Sequence, residues 1–445
     1  MRKQTLFVFL VLVAVLLAAC APAATPQVVE VTQVVEKEKE VLVTPTPAPV
    51  KLVMLTHWAE ESQLKPMQAK LEEYMQLHPN VTIEYQTVAF EQLLPKITTA
   101  RAAGISPDVC HFYNLWLPDF VKGGMLAVPP EGVVADIKAS YSPGSIEAVT
   151  YMDQIWGYPT EINTYALIYD KKLLAEAGYD KPPETWDELK EMACKTTQAD
   201  ASGKFTRSGY VLAPGWDSGV IHPFLSLLWS NGGEYLSPDG SEALFDSPEG
   251  LATLDLQMEM IENKCVDLGI TWTDFPAGKG AMIIMANWWR ATLKDTYKGG
   301  YENLAVAPVP HGPNGQSATL QYNWLFGVDN GSKNREEAWK LVEWLSTPAE
   351  EGEASPIGDY LTSAMGAIPS RTSDQQALAD RYDEFLQAFV DSAAVARPEP
   401  VVAGGQEVKT TLQTEIETAW FGQKSPEQAL ADAAEEANRI LAEKR

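Results

Sequence analysis

The chain has 445 residues, 34 of them basic and 60 acidic, for a net charge of −26 at neutral pH. Such a surplus of carboxylates makes it a poor partner for nucleic acid, whose phosphates are bound by basic surfaces. Hydrophobic residues make up 45% and charged residues 21%, an ordinary globular composition, and the length predicts two or three domains with sizeable cores.

Arg2 and Lys3 open the chain, and Leu6 to Ala19 follow without a charge or a strong breaker. That run is shorter than the roughly 20 residues a spanning helix needs and suits the apolar core of a signal peptide over residues 1–19. It ends in Leu17-Ala18-Ala19-Cys20, which resembles the bacterial lipobox. The resemblance implies cleavage before Cys20 and lipidation of that cysteine, and two or three acyl chains make a durable membrane anchor where one does not. Removing residues 1–19 takes away two basic residues and no acid, moving the net charge from −26 to −28. Residues 20–50 then read as a lipid-anchored tether. Gln27 to Val43 is rich in Val, Glu and Lys, and Thr44-Pro45-Thr46-Pro47-Ala48-Pro49 is a stiff, polyproline-prone spacer.

The folded body is expected to open at Lys51. Leu52 to Thr56 reads as a strand. Ser62 to His78 reads as a helix, with Leu64, Met67, Leu71, Tyr74 and Met75 at helical spacing. Val81 to Gln86 alternates as a strand, and Phe90 to Ala103 places Leu93, Leu94 and Ile97 on one helical face. Gly104 ends that helix, and Pro107-Asp108 leads into a strand at Val109–Tyr113. Ala166 to Tyr169 and Ala281 to Ala286 are buried-strand runs. Thr185-Trp186-Asp187-Glu188 is a capping box opening a helix to about Lys195. Ser247-Pro248-Glu249 opens another with proline in its first turn, Arg335 to Leu345 is amphipathic, and Ser425-Pro426-Glu427-Gln428 caps a final helix to about Leu441. Strands alternating with helices at this interval predict an α/β fold with helices on both faces of the sheet. No second segment is long enough to cross a membrane.

Beyond Cys20 the cysteines are Cys110, Cys194 and Cys265. Export permits a disulfide, for which Cys194 with Cys265, both in the later region, is the candidate pair; buried free thiols are the default expectation. The spacing matches no zinc motif, and no metal or cofactor is expected.

Tryptophan is abundant, at 13 residues. His57-Trp58, Phe112-Tyr113-Asn114-Leu115-Trp116, Trp216-Asp217, Asn287-Trp288-Trp289 and Tyr322-Asn323-Trp324 each set a flat ring beside a hydrogen-bonding side chain near a strand end. Sugars need that combination, because their C–H faces stack on rings while their hydroxyls require fixed donors and acceptors. Carboxylates such as Glu161 and Asp217, and amides such as Asn114, Asn163 and Asn323, suit vicinal hydroxyls. Trp186 and Trp339, inside amphipathic helices, are expected in the core.

Several segments, in order, resemble the extracellular solute-binding family 1 proteins, the group that includes maltodextrin- and other sugar-binding subunits of ABC importers. Leu77-His78-Pro79-Asn80-Val81 with Ile83-Glu84-Tyr85 resembles the family's step from first helix to second strand. Ala103-Gly104 with Ser106-Pro107-Asp108-Val109 resembles its next turn. Gly157-Tyr158-Pro159-Thr160 with Ala166 to Lys171, Pro183 to Leu189, Gly278-Lys279-Gly280-Ala281-Met282 and Ala367-Ile368-Pro369-Ser370-Arg371 continue the likeness, which spans roughly residues 51–445. It implies an α/β, two-lobe, periplasmic-binding-protein-like fold of type II, with one ligand in a cleft between lobes joined by crossing hinge segments. Lobe one would comprise 51–160 and 325–368, and lobe two 164–320 and 370–445.

On that frame the ligand contacts are expected from Trp58, Glu60, His111, Tyr113, Asn114, Trp116, Glu161, Asn163, Tyr165, Trp216, Asp217, Trp288, Arg290, Tyr322, Asn323 and Trp324. Asn163 matches a position where maltodextrin binders carry an acidic sugar contact, and Trp288 falls on a stacking tryptophan. His111 to Trp116 falls on a loop that in maltodextrin binders holds an acidic and a basic ligand residue. That charged pair is not reproduced here, so a maltodextrin is not assigned as ligand. The implied function is an extracytoplasmic binding subunit: a monomer that closes on a mono- or oligosaccharide and delivers it to an ABC permease, tethered to the membrane through Cys20.

Two rivals are weighed. An exported carbohydrate-active enzyme needs two opposed carboxylates at catalytic separation, and no catalytic motif surrounds any carboxylate here; the five histidines are scattered. The same fold binding another solute needs other walls. A phosphate such as glycerol phosphate wants a basic residue, for which Arg290 stands beside Trp288-Trp289. A polyamine wants acids boxed by rings, for which Glu60, Glu61, Glu161 and Asp217 are available.

Overall fold

The computed structural model describes residues 48–445, so the expected signal peptide, the lipidation site Cys20 and most of the tether lie outside the described residues. The body begins one residue earlier than anticipated. Val50 already pairs with Val81, opening a parallel register that runs to Thr56 opposite Thr87.

The first half follows the β-α-β logic of its sequence. Strand Val50–Thr56 buries Leu52, Met54 and Leu55, helix Glu61–Leu77 buries Met67, Leu71 and Tyr74, and helix Phe90–Ala102 buries Leu93 and Ile97. Strand Val109–Tyr113 pairs parallel to the first, with Met54 opposite Val109. All five of its residues are buried, as expected for a strand covered on both faces.

Two long strands carry the chain between the halves. Tyr158–Asp170 is 13 residues long and changes partners along its length. From Tyr158 to Thr164 it lies antiparallel to Thr319–Val328, and around Ile162 it also meets Ile368–Pro369. From Tyr165 to Tyr169 it pairs with Gly280–Ala286, and from Leu167 to Asp170 with Leu304–Ala307. Thr319–Val328 in turn joins Val109–Tyr113 on its other edge, Trp324 opposite Tyr113, and Ala396–Pro398 at its start. A strand that belongs to one sheet region by its first half and to another by its second half is a physical link between two lobes.

In the second half strand Phe205–Tyr210 pairs parallel to Gly280–Ala286, and helix Asp217–Ser230, of which Ser218 to Ser230 are all buried, packs on Gly280–Ala286 and on the two crossing strands. Sequence periodicity does not register this helix, because a helix enclosed on every side has no polar face to alternate with. The predicted capping box closes in both directions: the Glu188 amide donates to Thr185 Oγ1 at 3.3 Å, and the Thr185 amide donates to Glu188 Oε2 at 3.2 Å. Trp186 and Trp339 are buried in the core, as expected. Cys194, in helix Trp186–Thr196, is disulfide-bonded to Cys265, just past helix Pro248–Glu262, and Cys110 is a buried free thiol. Among the described residues no helix is long and apolar enough to cross a membrane.

Candidate functional site

A cavity of about 780 Å³ opens between the halves. It collects the ends of the central strands, where an open α/β sheet offers backbone turns and side chains to a ligand. His57 and Glu60 follow Val50–Thr56, Tyr113 ends its strand, and Trp288 and Trp289 follow Gly280–Ala286. Glu161, Asn163, Tyr322 and Trp324 come from the two long crossing strands.

The wall is largely aromatic. From the second half Trp216, Trp272 and Trp288 form a three-ring group, with centroids 5.1 Å apart for Trp216–Trp272, 6.1 Å for Trp216–Trp288 and 6.4 Å for Trp272–Trp288. From the first half Trp324 stacks on His57 at 4.1 Å, meets Phe90 edge-on at 5.9 Å and lies 5.8 Å from Tyr113. Flat rings thus approach the cavity from both halves.

The polar floor is made by the first crossing strand. Glu161 is 2% exposed, and its Oε2 accepts from Thr160 and lies 3.4 Å from His111 Nε2. Its Oε1 has no partner among the described residues. Asn163 is also 2% exposed and its Oδ1 is an unpartnered acceptor in the wall. His57 is held neutral: burial lowers its pKa well below the ordinary imidazole range, and neighbouring His111 adds to the effect.

Of the expected contacts, Glu60, Tyr113, Glu161, Asn163, Trp216, Trp288, Tyr322 and Trp324 line this cavity. The others lie behind its wall, and each has a physical reason. Trp58 is fully buried between His111 and Tyr360, at 4.2 and 4.8 Å, because the chain turns His57 to the cavity and its neighbour inward. His111, fully buried, bonds Thr160 at 2.9 Å. Asn114 and Asn323 repair the backbone where the pairing of the two crossing strands slips between Asn323 and Leu325. Asn114 Oδ1 accepts from the Asn323 amide at 3.2 Å, and Asn323 Nδ2 donates to the Glu161 carbonyl at 3.2 Å. Buried backbone groups that lose a ladder partner need such substitutes.

Trp116 donates its indole N–H to Gln406 at 2.9 Å, and Gln406 donates to Asp217 at 2.7 Å, which ties both residues to helix Gly405–Trp420. Tyr165 is fully buried and donates to the Ser218 carbonyl. Arg290 forms a two-pronged ion pair with Asp383, Nη2 to Oδ2 at 2.7 Å and Nε to Oδ1 at 3.0 Å, outside the cavity. It therefore offers nothing to a phosphate there.

Sequence reasoning missed Phe90, Glu91, Trp272 and Asp295, all in the wall. Trp272 lacks a neighbouring amide or carboxylate of the kind that marks the other pairs, and Phe90 and Glu91 read simply as a helix start. A buried network behind Tyr113 was missed as well. Lys409 Nζ lies 2.9 Å from Ser218 Oγ, 2.7 Å from His222 Nε2 and 3.1 Å from Tyr113 Oη, while Tyr113 donates to Glu399. Among the described residues no cluster of His, Cys, Asp and Glu is placed to hold a metal ion.

The family model for bacterial extracellular solute-binding proteins matches residues 58–352. The chain belongs to that family. A putative binding protein of Brucella abortus (strain 2308) is 29% identical over 382 residues, covering 82% of this chain and 87% of that protein. The GacH receptor of Streptomyces glaucescens GLA.O, solved unliganded and with acarbose, superposes with a TM-score of 0.77 at 25% identity, covering 90% of this chain and 100% of that one. Maltose-bound T. maritima MalE3 gives a TM-score of 0.73 at 26% identity, over 88% and 100% of the two chains. The fold is therefore the two-lobe periplasmic-binding-protein fold that the sequence motifs imply.

Proposed function

We propose that this chain is the carbohydrate-capturing subunit of an ABC importer, closing its two lobes on a mono- or oligosaccharide and delivering it to a membrane permease. One observation carries the reading: aromatic rings face one cavity from both halves, above a floor that holds the Glu161 carboxylate and the buried Asn163 Oδ1, which has no protein partner. Rings stack on sugar faces, and buried acceptors without partners are satisfied by ligand hydroxyls. The sugar complexes of the GacH receptor and MalE3 support the same assignment. On this reading lobe one comprises 51–160 and 325–368, and lobe two 164–320 and 370–445. The partner change of the long strand at Thr164 and Tyr165 supports a hinge there. Contacts made only in the closed form would drive closure. The protein acts as a monomeric binder without turnover, exported and anchored through lipidated Cys20.

A thermal-shift screen against mono-, di- and oligosaccharides tests the assignment, since a bound ligand stabilises by RT ln(1 + [L]/Kd). At least one saccharide should raise Tm by several degrees and remain chemically unchanged on recovery. Recovery of cleaved sugar would instead mark an enzyme. Labelling of expressing cells with a radioactive fatty acid, with and without Cys20→Ser, tests the anchor: label that persists in the variant would refute it.

A further inference from the structure

The charge of the cavity wall narrows the ligand further than its rings do. Glu60, Glu91, Glu161 and Asp295 line it, and no lysine or arginine does. His57, its one histidine, is held neutral by burial. Glu60, Glu91 and Asp295 are exposed and make no salt bridge or side-chain hydrogen bond among the described residues, so their charges are free to meet a ligand. The floor repeats the pattern: Asn163 Oδ1 is a buried, unpartnered acceptor, and Glu161 adds a buried carboxylate whose Oε2 alone is engaged by Thr160 and His111. The ring wall adds the negative faces of Trp216, Trp272 and Trp288.

A site so rich in acceptors and poor in cationic donors suits a ligand rich in donors. An ammonium group supplies three donors and no acceptor, forms charge-assisted bonds with carboxylates, and is attracted to the face of an indole. A phosphate or uronate would meet four carboxylates in the wall, with the basic side chains Arg290 and Lys294 lining the adjoining pocket beyond Asp295. Lobe closure, by excluding water, strengthens both the attraction and the repulsion. Resting on the saccharide reading above, we propose that the cleft selects saccharides carrying a protonated amine over the same saccharides carrying a hydroxyl in its place. The cluster of acids does not define the site alone; the buried, unpartnered Asn163 acceptor and the rings place it around a ligand.

Matched pairs test this by titration calorimetry on the full chain: glucosamine against glucose, galactosamine against galactose, and the β-1,4-linked glucosamine dimer and trimer against cellobiose and cellotriose. In at least one pair the amine should bind about tenfold more tightly at low salt, the scale of one charge-assisted contact. The advantage should shrink as salt rises and vanish in Glu60→Gln/Glu91→Gln/Asp295→Asn, with the variant's melting curve confirming that it is folded. Equal affinities within every pair that binds, or an advantage that survives the triple substitution, would overturn the inference and leave the saccharide assignment standing. Tighter binding of spermidine than of any saccharide, or binding of no saccharide at all, would remove both.

Discussion

Lys409 and Glu399 lie 3.5 Å apart with side chains only 1% and 2% exposed. Glu399 follows the strand Ala396–Pro398, which pairs with the start of the second crossing strand, and Lys409 sits on helix Gly405–Trp420. Burial pushes the Glu399 carboxyl up against the pull of Lys409, and Tyr113 joins both residues to the cavity wall. A charge stranded in such a place costs more than the pair contributes.

Lys409→Met should therefore destabilise the protein by about 3–5 kcal/mol, read by urea or thermal unfolding. Adding Glu399→Gln to that variant should recover a large part of the loss, because the second change removes the orphaned carboxylate. Equal stability of the single variant and the parent would show that the two charges are not coupled.

Two buried histidines set a pH dependence. The pKa values of His57 and His222 are lowered well below 6.5, chiefly by burial, with His111 and Lys409 respectively adding to it. The unfolded chain takes up protons near pH 6.5 that the folded chain refuses, so this stability is fully present above that pH and lost as pH falls below it. The slope is at most about 1.4 kcal/mol per pH unit for each histidine. Glu399, raised rather than lowered, acts with the opposite sign: its contribution is present below the unfolded carboxyl pKa and lost as pH rises through the folded one. Melting temperatures from pH 7.5 to 5 should fall, and the slope should flatten in His57→Gln and His222→Gln. An unchanged slope in both variants would contradict this account.

Trp288 and Trp58 separate binding from folding. Trp288 is half-buried in the cavity wall, so Trp288→Ala should weaken ligand binding by about 1–3 kcal/mol with a smaller change in Tm. Trp58 is fully buried, and Trp58→Ala should cost about 3–5 kcal/mol of stability. Calorimetry and unfolding on the same two proteins check both, and a reversal of the two patterns would mean the cavity has been misplaced.

Arg290 is expected to matter to the fold. Arg290→Gln would leave Asp383 with its Tyr301 contact and its cap on the Leu386 amide, and without its bidentate cation. Arg290 is 9% exposed and Asp383 33%, so solvent screens part of the pair and a loss of about 1–2 kcal/mol follows. Thermal unfolding measures it, and ligand affinity at the Tm-corrected temperature should change little.

Much of this protein could be read from order along the chain. Local rules decide where helices and strands begin, so Thr185-x-x-Glu188 and the run Ala281 to Ala286 announce their elements without neighbours. The family's motifs, in series, carry the two-lobe topology with them. Neighbouring residues in an extended segment face opposite ways, and which way is decided by what packs on each side. Hence His57 reaches the cavity while Trp58 fills the core, and Glu161 and Asn163 form its floor while Asn323 mends a slipped backbone register. Trp272 and Asp295 join the wall, and Lys409 and Glu399 meet Tyr113 and His222, only because distant segments are folded against one another. No local pattern encodes that proximity, since it depends on segments far apart in the chain being packed side by side.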